Sequence, residues 1–164
     1  MIKNLLIQAL FFVGLFLLFS WFKELDMLEI NQDVSQSAET MTSLSGEQIS
    51  IATPGKAKLV YFFAPWCQVC NFSIDNLESF HQQGLDIEVY AIALDYENED
   101  AVKQFVSRHE LSFPILLGDN QMKHRFKIKG YPSYYLVDKH NKVVAKSMGY
   151  STEVGMLART LLIK

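Results

Sequence analysis

LVYFFAPWCQVCN, residues Leu59 to Asn71, holds both cysteines of the chain, Cys67 and Cys70. The apolar run from Leu59 to Ala64 reads as a buried strand, and a segment of helical periodicity follows the cysteines. Strand, tight turn, two cysteines two residues apart and then a helix is an order with a chemical reason. A cysteine in the first turn of a helix faces unpaired backbone N–H groups and the positive end of the helix dipole. Both favour thiolate over thiol, so its pKa falls below the free value of roughly 8.5. The second cysteine, three positions on, lies on nearly the same helical face and can close a ring with the first. The pair can then alternate between dithiol and disulfide.

Trp66-Cys67-Gln68-Val69-Cys70 after an apolar strand resembles the thioredoxin superfamily. The wider pattern is similar to its membrane-tethered TlpA/ResA-like branch. Residues Ser43 to Ile51 resemble that branch's opening strand, and Tyr131-Pro132 followed by SYYLVDKHNKVV resembles its cis-proline, strand, turn and strand. The resemblance covers residues 43–164, and CxxC after a strand with a strand-opening proline some sixty residues on is a far more specific signal than CxxC alone. It implies an α/β, thioredoxin-like fold, a central mixed sheet with helices on both faces, preceded by a single N-terminal transmembrane helix. It further implies that Cys67 is the exposed nucleophile and Cys70 the buried resolving thiol. The Tyr131–Pro132 bond would be cis and would face the cysteines, offering backbone to a substrate peptide. Trp66, Tyr131 and Pro132 are then the substrate-binding residues.

Two positions depart from the family pattern. Thioredoxins carry a buried Asp six positions before the first cysteine, where this chain has Tyr61. ResA-like proteins often carry a Glu three positions after the second cysteine, where this chain has Ser73. Neither serves readily as a carboxylate base near neutral pH. The intervening Gln68-Val69 also lacks the proline common in thioredoxins.

A chain of 164 residues that is 49 % hydrophobic and 13 % aromatic has enough apolar material for one sizeable core with an appended segment. Its formal charge of −3 argues against nucleic acid as the main partner, because phosphate binding needs a basic surface. Residues 5–22, LLIQALFFVGLFLLFSWF, carry no formal charge. As a helix they would be roughly 27 Å long, close to a hydrocarbon core of about 30 Å. Trp21 and Phe22 lie at the end where aromatics favour the membrane interface. The run is longer than a usual signal-peptide core, and no small-x-small site follows it. Residues 1–22 are therefore expected to be a membrane anchor, 23–42 a polar, flexible tether and 43–164 the thioredoxin-like domain. A short leading tail and a large trailing domain favour N-inside, with the domain on the periplasmic face of a bacterial inner membrane.

Along the domain, Gln48 to Ala52 is expected as a short strand, Thr53 to Lys56 as a turn and Lys58 to Ala64 as the central strand. The helix after the cysteines runs to about Gln83, with Gly84 suited to its C-cap. Ile87 to Leu94 is a second buried strand. The acidic run Asp95 to Asp100 leads into a helix from about Glu99 to His109, where acids complement the dipole. Ser112 to Leu117 is a third strand and Asn120 to Phe126 a short helix. Tyr131 to Val137 and Lys142 to Met148 form a hairpin, and Thr152 to Ile163 is the last helix. The extra strand and helix before the proline resemble the insertion of TlpA-like proteins.

Other uses of the cysteines are weaker. A CxxC closes a tiny ring, so as a staple it removes little unfolded-chain entropy. Two thiolates are too few for structural zinc, and His81, His109, His124 and His140 are scattered. A two-coordinate copper(I) site, in a copper-binding or copper-delivery protein, is the chemical alternative because soft thiolates suit that ion. A disulfide donor or isomerase is the other. The leading expectation is a membrane-anchored thiol–disulfide oxidoreductase that reduces disulfides of envelope proteins through Cys67 and Cys70. It would need no cofactor or metal beyond the redox-active disulfide. Its partners would be protein disulfides or dithiols, an upstream membrane thiol reductant and the membrane itself. Cytochrome c maturation, copper-site assembly and rescue of misoxidised proteins are all served by the branch it resembles. The alternating basic run Lys123, Arg125, Lys127 and Lys129 reads as a solvated face or as a steering patch for an acidic partner.

Overall fold

A computed structural model describes residues 7, 8, 10–12, 14, 15, 23–35 and 40–163. Among them no helix is long and apolar enough to cross a membrane. The span expected over residues 5–22 falls mostly on residues outside that description.

The central strand, β3 (Ala57–Phe63), is buried at every position. Successive strand residues point to opposite faces, so a strand buried throughout needs cover on both sides. Leu59, Tyr61 and Phe63 pack into one apolar cluster, and Val60 and Phe62 into another. β3 pairs in parallel with β4 (Ile87–Ala93), which pairs in parallel with β5 (Ile115–Leu117). On its other side β3 pairs antiparallel with β6 (Ser133–Val137), and β6 with β7 (Val143–Met148). The mixed sheet has the order β5-β4-β3-β6-β7.

The first cluster takes residues from three helices, α1 (Gln68–Gln82), α2 (Glu99–Arg108) and α4 (Glu153–Thr160). Each begins on a side-chain cap that accepts a main-chain N–H: Cys67 for α1, Asn98 for α2 and Thr152 for α4. Phe63 stacks on Phe105 of α2 at 4.8 Å between centroids, which ties the inserted helix to the central strand. The opposite face is covered by the short α3 (Asn120–Arg125), by Phe126 and Ile128, and by part of the segment expected as a tether.

That segment is where the structure differs most from expectation. Met27, Leu28 and Val34 are buried in the second cluster. Main-chain bonds fix them: Asn31 N–H donates to Val143 O at 2.8 Å, Val34 N–H to Asn141 O at 2.9 Å, and Val143 N–H to Gln32 O at 3.0 Å. Further on, β1 (Thr40–Thr42) pairs antiparallel with β2 (Gln48–Ser50). Residues 23–42 thus include sheet cover and a strand; among the described residues the helix over the second face of the sheet is the six-residue α3.

Lys58 is the one charged residue in the central strand, and it is 1 % exposed. Its ammonium donates to Thr53 O at 2.5 Å, Lys56 O at 3.1 Å and Asn141 Oδ1 at 3.2 Å, so the buried charge is solvated by the protein. Gly118, just after β5, is held by its N–H to Ala93 O at 3.0 Å. A Cβ there would lie 2.7 Å from both Ile92 Cγ2 and Leu94 Cδ2. Gly118→Ala is expected to destabilise the domain by about 1–3 kcal/mol in urea unfolding, through overpacking against β4.

Candidate active site

The parallel strands β3 and β4 end side by side, with Leu94 N–H donating to Phe63 O at 2.9 Å. Beyond these carboxyl ends the chain turns through Ala64-Pro65-Trp66 into α1. Cys67 stands at the N-cap, its backbone extended at φ −76° and ψ 114°. Its sulfur accepts the Cys70 N–H at 3.1 Å, and Cys67 and Cys70 are joined as a disulfide. In the reduced pair the same N–H and the helix terminus would face the Cys67 thiolate. Cys67 is 6 % exposed and Cys70 is fully buried. Access to the pair is therefore from the Cys67 side. The rim there is apolar: Trp66, Val69 and Phe72 are 63 %, 43 % and 74 % exposed.

The structure brings the two aromatic residues expected at the site together. Trp66 and Tyr131 meet edge to face at 5.9 Å between centroids. Tyr131 precedes Pro132 across a cis peptide bond, and Pro132 O accepts the Gly149 N–H at 2.8 Å. The loop before β6 thus stands beside the cysteine turn.

Sequence reasoning missed the residue that joins these parts. Asp95 follows β4 directly, with φ at +49°. Its carbonyl accepts the Trp66 Nε1–H at 2.8 Å, and its Oδ2 accepts the Tyr131 hydroxyl at 2.9 Å. The same Oδ2 accepts a short hydrogen bond from Lys123 Nζ on α3. Lys123 also lies 5.7 Å from the centroid of the Tyr131 ring. Partial burial raises the Asp95 pKa, but the hydrogen bonds from Lys123 and Tyr131 and the Lys123 charge outweigh it, so the carboxyl titrates below its ordinary value. Burial and the Asp95 carboxylate both hold the Tyr131 phenol protonated. The available signal was position alone: a carboxylate just past the end of a strand parallel to the cysteine strand.

Ionised Asp95 contributes stability that is complete above the unfolded carboxyl pKa of about 3.9 and is lost as pH falls through the lower folded value. The stability difference between the wild-type chain and Asp95→Asn is therefore expected to be largest near neutral pH and to shrink below about pH 4. Urea titrations of both chains across that range measure it.

The basic run is partly spent within the molecule. Lys123 pairs with Asp95, and Lys129 Nζ lies 2.6 Å from Asp26. This weakens the reading of the run as a steering patch.

On the other side of the cysteine turn, Asn71 Nδ2 donates to Cys67 O at 3.0 Å. Its Oδ1 lies 3.2 Å from Arg108 and 3.1 Å from His109 Nε2, while His109 Nδ1 meets Asp75 at 2.7 Å. Of the four scattered histidines, this one supports the turn. Among the described residues no group of three or more His, Cys, Asp or Glu is gathered that could hold a metal.

Tyr61, on β3, and Ser73, on the inner face of α1, are both fully buried. Tyr61 lies directly across from Tyr134 in the β3–β6 pairing, and both share the cluster that contains Cys70. The Ser73 hydroxyl exchanges bonds with the backbone of Ser151, accepting its N–H at 3.2 Å and donating to its O at 3.3 Å. Ser73 and Tyr134 are close enough to act on the Tyr61 phenol, yet among the described residues neither the Tyr61 nor the Tyr134 hydroxyl has a partner of hydrogen-bond geometry. Burial pushes the Tyr61 pKa further above its ordinary value. These groups are neutral at working pH and none is a base.

The chain is similar to known proteins. The chain is 28 % identical over 144 residues to the Bacillus cereus thiol-disulfide oxidoreductase ResA, covering 86 % of this chain and 82 % of that protein. It is 23 % identical over 155 residues to the Bacillus subtilis sporulation thiol-disulfide oxidoreductase A, covering 92 % of each. The crystal structure of StoA from Bacillus subtilis superposes with a TM-score of 0.68 at 22 % identity, over 75 % of this chain and 96 % of that one. The structure of MTB dsbF gives 0.71 at 21 % identity, over 80 % and 99 %. These two likenesses show the thioredoxin-like fold. The AhpC/TSA family model matches residues 33–146, from the packed N-terminal segment through the cysteine turn and the Tyr131–Pro132 loop into β7. With the fold and most of the chain's length accounted for in this way, the protein belongs to the AhpC/TSA family.

Proposed function

We propose that this thiol–disulfide oxidoreductase is a reductant of protein disulfides, held by residues 5–22 on the outer face of a bacterial membrane. Reduced Cys67, as thiolate, attacks one sulfur of a target disulfide. A mixed disulfide forms and the target's other sulfur leaves as a thiolate. Cys70 then attacks Cys67, releasing the target as a dithiol and leaving Cys67–Cys70 oxidised. The disulfide pair itself is the electron carrier, and an upstream membrane thiol protein returns the two electrons. Trp66, Tyr131 and Pro132 form the contact surface for the substrate peptide.

The observation that carries this reading is the pair at the start of α1, with Cys67 on the accessible side and Cys70 buried. The reducing direction is supported by the surroundings of the two sulfurs. The Cys67 sulfur faces one N–H and a helix terminus, and Cys70 lies among apolar side chains that disfavour its thiolate. A strong oxidant is one whose reduced form is stabilised. The anchor is supported by the uncharged run at 5–22.

The test is turnover. The full-length chain in detergent, supplied with excess dithiothreitol, is expected to accelerate reduction of insulin disulfides well beyond the dithiothreitol background. If a Cys67→Ser, Cys70→Ser chain performs equally well, the proposal is wrong.

A further inference from the structure

Among the described residues Asp95 alone bonds both aromatic walls beside Cys67. Its carbonyl holds the Trp66 indole and its carboxylate the Tyr131 hydroxyl. The charge it needs for this is balanced by Lys123, which also lies against the Tyr131 ring. Four separate parts of the chain therefore meet at one residue: the cysteine turn at its carbonyl, α3 and the loop before Pro132 at its carboxylate, and the end of β4 that carries it. Trp66 is widely exposed and would otherwise be free to turn away from the loop. Among the described residues the Tyr131 phenol makes no other hydrogen bond.

We propose that Asp95, with Lys123, is a positioning pair that sets the spacing of Trp66 and Tyr131 and so makes the site selective for disulfides presented on a polypeptide over small disulfides. This rests on the reading of the site as a protein-disulfide reductase. A polypeptide must lie along both walls while its sulfur reaches Cys67. A small disulfide needs only the sulfur, and its reaction depends on the thiolate and its approach. Neither Asp95 nor Lys123 touches the reacting sulfurs. Their effect is on the order of the walls, which appears in the apparent affinity for a polypeptide.

The experiment compares two substrates, insulin and bis(hydroxyethyl) disulfide, on the full-length chain. For Asp95→Ala, KM for insulin is expected to rise about tenfold with kcat changed less than about twofold, as for lost uniform binding. The ratio of kcat/KM for insulin to that for the small disulfide should fall by about the same factor. Lys123→Met should shift the ratio in the same direction, and Lys123→Arg, which keeps the charge, should stay near wild type. Lys123→Met also decides the matter should Asp95→Ala fail to fold. An unchanged ratio in both variants would overturn the inference while leaving the reductase reading intact. Equal losses on both substrates would overturn it too, by pointing to a general effect on the thiols. A wild-type chain inactive on both substrates would instead remove the reading beneath it.

Discussion

Cys70→Ser is expected to leave the chain covalently attached to its substrates. With Cys67 intact, attack on a target disulfide still forms a mixed disulfide, but the thiol that would release it is gone. The chain has only two cysteines, so no other group can take over the second step. Non-reducing gels should show discrete higher-mass adducts that disappear on reduction. Cys67→Ser should form none, because Cys70 is fully buried, and its exchange rate should fall by about a thousandfold or more, to the uncatalysed background. If the Cys67→Ser chain formed adducts and the Cys70→Ser chain did not, the roles assigned to the two cysteines would be reversed.

The second large effect concerns the segment before the domain. Leu28 is fully buried against the second face of the sheet, in the cluster that contains Phe62, Phe126 and Tyr135. Its N–H donates to the Tyr135 hydroxyl at 3.1 Å, and that hydroxyl donates to Phe126 O at 2.7 Å. Leu28→Ala removes a buried side chain from a site that cannot fully collapse, at a cost of about 2–5 kcal/mol in urea unfolding. A chain beginning at residue 35 loses Met27, Leu28 and Val34 together and should be destabilised by at least as much, exposing Val60 and Phe62 on the sheet face. Were 23–34 a free tether, neither change would move the unfolding midpoint.

The two halves of the molecule differed in how plainly the sequence showed them. The cysteine turn was legible because its signals are local. An apolar strand, a turn and a helix follow one another within twenty residues, and the N-cap geometry follows from that order. The hairpin after Pro132 was legible for the same reason. Residues 23–42 were not, because Met27, Leu28 and Val34 follow neither a helical nor a strand period. Their segment is held by main-chain bonds of Asn31, Gln32 and Val34 to Asn141 and Val143 and by the Leu28 N–H on the Tyr135 hydroxyl, more than a hundred residues away. The acidic run 95–100 concealed two roles. Glu99 and Asp100 lie in the first turn of α2, as the dipole explanation expects, while Asp95 turns away at φ +49° toward Trp66 and Tyr131. In the basic run, alternation suggested one solvated face, yet Lys123 and Lys129 each found an acid on a distant segment. Tyr61 and Ser73 were recognised as departures from the family pattern. That both are buried where α1 packs on the sheet required the structure.

The reduction potential of the Cys67–Cys70 pair tests the direction of electron flow most directly. The chain from residue 23 onward, which keeps the sheet cover, would be equilibrated in thiol redox buffers and its free thiols counted. A fully buried Cys70 and a Cys67 sulfur that accepts one N–H fit the proposed reductant, which predicts a value of about −270 mV or lower and needs a dedicated electron supply. A value near about −120 mV would mean that the dithiol form is strongly stabilised. The protein would then donate disulfides, contradicting the proposed function.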